Sequence, residues 1–139
     1  MANFGVSYLN PAGAPPVQGL YSHVARVAPG ELAFIAGQVA IDAQGNVVGA
    51  GDVELQAAQV FANLGLLLKE LGSDFAAVVQ FTTYLTRADN IPTFMAARSK
   101  LFATLFADGK YPPNTLLVVD RLVKAEFLLE VEAIARLPG

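Results

Sequence analysis

The chain has 139 residues, which suits a single domain over 1–139 and hardly two. Hydrophobic residues make up 54% and charged residues 15%, where an ordinary soluble domain carries about 25% charged, and the net charge is −3. These figures exclude a nucleic-acid footprint, since no basic cluster is available to release counterions, and no apolar run reaches the ~18 residues of a membrane span. The absence of cysteine removes disulfides, thiolate nucleophiles and Cys-ligated metals. With His23 the sole histidine, no zinc site of the His₂Glu or His₃ kind can be built within one chain. The N-terminal stretch lacks the basic start and long apolar core of a signal peptide, so the expected compartment is the cytoplasm. The apolar excess is read as surface buried between subunits, because obligate interfaces resemble a core cut in half, with a large monomer core as the alternative.

In chain order, residues 10–19, "NPAGAPPVQG", are too rich in Pro and Gly for a regular element. Two extended runs between Ser22 and Asp42 flank the turn signal Pro29-Gly30 and read as a β-hairpin. A second turn follows around Gly45-Asn46. From Asp52 the period changes: Val53, Ala57, Val60, Phe61, Leu64, Leu67, Leu68 and Leu71 recur at helical spacing. Asp52 suits the N-cap, Glu54 the first turn, and Gly72 the position just past the end.

Residues 77–86 alternate as a strand, with Val79, Phe81, Thr83 and Leu85 on one face and Gln80, Thr82, Tyr84 and Thr86 on the other. A second helix begins near Asp89-Asn90, tolerates Pro92 in its first turn and ends at Gly109. Its stripe runs Ile91, Phe94, Met95, Arg98, Leu101, Phe102, Leu105 and Phe106, with Arg98 the one polar exception. Two strands close the chain, "TLLVVDRL" and "EFLLEVEAIARL". In the second, Phe127, Leu129, Val131 and Ala133 face one way and Leu128, Glu130, Glu132 and Ile134 the other. Two helices on one face of a mixed sheet is the economical α+β packing, and it leaves the other sheet face for neighbouring subunits to cover.

The runs "YSHVARV" (Tyr21 to Val27), "AFIAGQVAIDAQGNVV" (Ala33 to Val48), the first helix, "VVQFTTYLT" (Val78 to Thr86) and "LLEVEAIA" (Leu128 to Ala135) together resemble the Rid family, also called YjgF or endoribonuclease L-PSP. The resemblance implies a chorismate-mutase-like fold and a homotrimer, with the three sheets forming a central barrel and a small-metabolite cleft between each pair of subunits. It also implies hydrolytic deamination of imines and enamines without metal or organic cofactor. The family's water-activating glutamate matches Glu130, its tyrosine Tyr21, and its pocket turn Gly37 and Gln38. Burial and the neighbouring Glu132 would both raise the pKa of Glu130, as suits a base. Gly37 also fits the plain role of close backbone approach, and His23 that of a surface residue without partners.

One match fails. The family's substrate-gripping arginine falls on Asn114, within Pro112-Pro113-Asn114. An amide lacks the charged fork that binds a carboxylate bidentately. Arg26, Arg87 and Arg121 are the alternatives weighed for that charge. The expected function is therefore a cofactor-free imine or enamine deaminase, acting on substrates other than the usual 2-imino acids. The alternative is a trimer that binds a metabolite in its clefts without turning it over. Ribonuclease activity conflicts with the acidic balance and the lone histidine.

Overall fold

The computed structural model describes residues 4–139, so the first three residues of the stretch read for a signal lie outside the described residues. Two short strands, β1 (Val6–Leu9) and β2 (Val24–Val27), pair antiparallel as a ribbon. The main sheet holds β3 (Leu32–Gln38), β4 (Val78–Leu85), β5 (Asn114–Val118) and β6 (Leu129–Arg136) in the order β3-β6-β4-β5. Helices α1 (Val53–Glu70) and α2 (Ile91–Leu105) pack on each other and on one sheet face. Only β4 and β5 run parallel, because α2 carries the chain back between them.

The expected hairpin around Pro29-Gly30 does not form. β2 pairs with β1, and β3 pairs with β6. The strand at Val6–Leu9, unread in the sequence, takes β2, the partner that the hairpin would have given β3. Arg136 secures this arrangement by donating to the carbonyls of Phe4 (2.7 Å), Ala28 (3.0 Å) and Pro29 (2.5 Å). Gly30 leaves the guanidinium its space, since a Cβ there would stand 2.6 Å from Nη2. A long-range cation clamp thus replaces a local turn.

The signals at both ends of α1 hold, whereas α2 starts after Asn90 without a side-chain cap and ends at Leu105, four residues short of the expected Gly109. Asp52 accepts from Leu55 N as N-cap. At the other end Gly72 has φ +72°, and the bonds Gly72 N to Lys69 O and Ser73 N to Leu68 O satisfy the last carbonyls. The buried face of α1 is the expected one with Gln56 added, while Leu71 is exposed. Phe61, Phe81, Phe102 and Phe106 form an edge-to-face cluster beneath the helices, with Phe102 and Phe106 centroids 4.8 Å apart. On β4, Phe81, Thr83 and Leu85 face this core as expected, but a register shift between Val78 and Gln80 buries Val78 in place of Val79.

Gln56 is fully buried and makes three bonds. Its Nε2 donates to Gly49 O (3.1 Å) and Glu126 O (2.8 Å), and its Oε1 accepts from Leu128 N (2.8 Å). The helix thereby fixes the entry to β6. Substituting Gln56→Leu strands three backbone groups, and a loss of about 3 kcal/mol is expected, read from the midpoint of urea unfolding. An unchanged midpoint would mean that residues 126–128 are held by something else.

Candidate active site

Because β6 lies between β3 and β4, its alternation sets the chemistry of both sheet faces. Leu129, Val131, Ala133 and Ala135 are buried against the helices, while Glu130, Glu132 and Ile134 stand half-buried on the other face. The register places Tyr84 opposite Glu130 and Thr82 opposite Glu132. Tyr84 Oη donates to Glu132 Oε1 at 2.6 Å. Glu130 lies over Gly37, where a Cβ would overlap its Oε2. The pairing of β3 with β6 shifts register between Ile35 and Gln38, at this same point.

Glu130 has no hydrogen-bond donor among the described residues, whereas its neighbour Glu132 is engaged by Tyr84. Burial pushes the Glu130 carboxyl pKa above the usual carboxylate range, and the Glu132 charge adds to that shift. The Tyr84 hydroxyl is also raised, first by its bond to Glu132, so it keeps its proton and remains a donor. The result is a carboxylate held close to a second one, with lone pairs uncommitted. Such a group can take a proton from a bound water. A cavity of about 150 Å³ opens on this face, lined by Phe34, Ile35, Gln80, Thr82, Glu132, Ala133 and Ile134. It reaches Glu132 and not Glu130.

The other expected site residues are not gathered around Glu130 within one chain. Asn114 opens β5, and its Oδ1 accepts from Thr83 Oγ1 at 2.8 Å. Thr83 is 2% exposed and pairs with Val131 on the helix side, so Asn114 is held on the face opposite Glu130. The Gln38 amide turns back to donate to Ala36 O. Tyr21 Oη accepts from Gln18 N in the loop before β2. His23 does have partners, contrary to expectation: Nε2 lies 2.6 Å from Pro15 O, and its ring meets Tyr21 edge-on. Of the alternative arginines, Arg87 pairs with Asp89 and Arg121 donates to carbonyls of its own loop. Arg26 lies on β2 opposite Ser7. Tyr84 was the residue missed. Its face was legible, but its pairing with β6 was not.

Among the described residues no three His, Asp or Glu side chains gather into a metal site, and no helix is long and apolar enough to cross a membrane.

Two helices on one face of a mixed β-sheet define the α+β class of this chain, which it shares with the solved structures it resembles. The chain belongs to the family described as endoribonuclease L-PSP, whose profile matches residues 12–137. It is similar to a RutC family protein of Synechocystis, at 34% identity over 128 residues, covering 91% of this chain and 93% of that protein. It is similar as well to the mouse 2-iminobutanoate/2-iminopropanoate deaminase, at 34% identity with 88% and 84% covered. Among solved structures, the Rid family protein YyfB of Yersinia pestis, itself of unknown function, superposes with a TM-score of 0.86 at 32% identity, covering 96% of this chain and 99% of that one.

If Glu132 acts on Glu130 by charge, Glu132→Gln lowers the pKa of Glu130. Side-chain carboxyl resonances followed by NMR across the acidic range read this directly. An unmoved Glu130 titration would assign its shift to burial alone.

Proposed function

We propose that this protein is a cofactor-free hydrolytic deaminase of reactive imines or enamines, working as a cytoplasmic homotrimer. The observation that carries the reading is Glu130, half-buried over Gly37, raised in pKa and without a donor among the described residues. Family membership and the deaminase relative in mouse support it. In the reaction the Glu130 carboxylate takes a proton from water while the water oxygen bonds to the imine carbon. The C=N electron pair moves to nitrogen, which takes from Glu130 the proton drawn from water, giving a carbinolamine. The carbinolamine hydroxyl then gives its proton to Glu130 as the C=O bond forms and the C–N bond breaks. Glu130 passes that proton to the departing nitrogen, so ammonia leaves and a carbonyl compound remains. Burial suits this exchange, because it brings the carboxyl pKa nearer to the working pH.

Substrate choice follows from the lack of an arginine at position 114 and not from a contact of Asn114 with Glu130, since Asn114 lies across the sheet from it. Held by Thr83 and uncharged, Asn114 offers no bidentate grip on a carboxylate. We place this chain in a subfamily without that arginine, acting on imines other than the usual 2-imino acids, with Tyr21, Gly37 and Gln38 completing the cleft across a subunit boundary. The trimer is supported by the open sheet face, where Phe34 is 76% exposed beside half-buried Ile134. Unburied, such a side chain forgoes about 2 kcal/mol. The retained scaffold without its charged anchor favours one second reading, a trimer that binds a metabolite without turnover.

Ammonia release from imines generated in place, from simple amines and from several amino acids, tests both readings. Replacing Glu130 by Ala is expected to lower the rate at least about 100-fold. Phe34→Glu is expected to yield monomers by sedimentation and to lose the same activity. Turnover that survives Glu130→Ala would sink the deaminase mechanism. Thermal stabilisation by a metabolite with no ammonia release would select the binding reading.

A further inference from the structure

The cavity on the open sheet face stops short of Glu130, so it lies outside the proposed water-activating centre. Its volume is about 150 Å³, and it spans three adjacent strands. The register sets its walls in two rows, with Phe34, Ile134 and Gln80 in one and Glu132 and Thr82 in the next. The first row is mainly apolar and the second polar. Glu130 and Tyr84 form the row beyond. A cavity of this size admits a ligand of about six heavy atoms. Apolar walls with a few convergent polar groups are the usual make-up of a small-molecule site.

The charge in this cavity is negative and unbalanced. Among the described residues ion pairs join Arg87 to Asp89 and Lys100 to Glu54, and neither Glu130 nor Glu132 has one. Tyr84 donates to Glu132 Oε1 and fixes that carboxylate, which leaves Oε2 as the oxygen without a donor among the described residues. Thr82 adds a hydroxyl and Gln80 an amide oxygen to the acceptors lining the site. A cation brought into such a partly desolvated place is attracted more strongly than in bulk water.

We propose that this cavity binds a short primary alkylamine, its ammonium on Glu132 and its alkyl tail against Phe34 and Ile134. The acceptors of Glu132, Thr82 and Gln80 match the three hydrogens of an ammonium. A guanidinium fits less well, because its fork needs both carboxylate oxygens and Tyr84 already occupies Oε1. A divalent metal ion requires about six oxygen ligands, and among the described residues no three His, Asp or Glu side chains gather. An alkyl carboxylate meets like charge from Glu132. The site adjoins Glu130 and stands whether or not Glu130 catalyses imine hydrolysis. In the proposed trimer a neighbouring subunit covers this face, so the site is tested in the assembled protein.

The test titrates the intact protein at neutral pH with n-butylammonium, butylguanidinium and butyrate at matched ionic strength. It reads the melting temperature and the Glu132 side-chain carboxyl resonance. n-Butylammonium at about ten times its Kd is expected to raise the melting temperature by about 4 °C and to shift the Glu132 signal. Butyrate is expected to do neither, and butylguanidinium to bind about tenfold more weakly, for want of one charge-assisted bond. Glu132→Gln keeps an acceptor for Tyr84 and is expected to abolish the thermal response. Tyr84→Phe frees Oε1 and is expected to bring butylguanidinium up to the affinity of n-butylammonium. Three results would overturn the proposal. One is no ammonium response in the parent, which would assign the cavity to a side chain of a neighbouring subunit. Another is a response that persists in Glu132→Gln. The third is a preference between the two cations that Tyr84→Phe leaves unchanged.

Discussion

The pairing of β6 between β3 and β4 is the constraint on which the rest depends. It converts a two-residue alternation into two chemically different surfaces. Toward the helices it supplies Leu129, Val131, Ala133 and Ala135 to the phenylalanine core. Away from them it sets Glu130 over Gly37 and opposite Tyr84. A slip by one residue would exchange the faces, burying two carboxylates and exposing the core side chains. Gln56 guards against this at the entry to the strand and Arg136 at its far end, each through bonds to backbone groups distant in sequence. The geometry of the site is thus inherited from interactions that stabilise the fold.

The polar side chains that break an apolar pattern divide into two kinds. Gln56 is satisfied on every side and is structural. Arg98 and Glu130 are not: among the described residues one is a cation without an anion, the other a carboxylate without a donor. Stability alone gives no reason to retain either, because a buried or half-buried charge costs free energy that an apolar or neutral side chain would not. They lie on opposite faces of one sheet. Glu130 faces the open side, where Phe34 and Ile134 invite a neighbour. Unsatisfied groups of this kind mark functional positions more reliably than polar residues in general.

The local signals in the sequence correspond to features of the fold. The caps at Asp52 and Gly72, the alternation of β6 and the stripe of α2 each depend on neighbours within a few residues, and each is present. What escaped depends on distant partners. Pro29-Gly30 resembled a hairpin turn because its flanks are extended, but strand pairing was decided by Val6–Leu9 and by Arg136. Val79 and Val78 exchanged roles through a register shift that no local pattern records. At the site, Glu130 and Gly37 were legible from family motifs, and their meeting is now physical: one lies where the other has no side chain. Tyr84 was on the correct face but had no assigned partner strand. Asn114 stood out as a mismatch; its bond to Thr83 places it across the sheet from Glu130.

The central claim is that Glu130, in its ionised form, activates water. The pH dependence of ammonia release by the intact protein tests it most directly. Burial and Glu132 both raise the Glu130 pKa, so the active carboxylate is lost on acidification at a higher pH than for an ordinary glutamate. The predicted profile climbs with pH through the titration of Glu130, as located by its own carboxyl resonance, and levels off above it. A rate that stays constant through that titration would contradict the account.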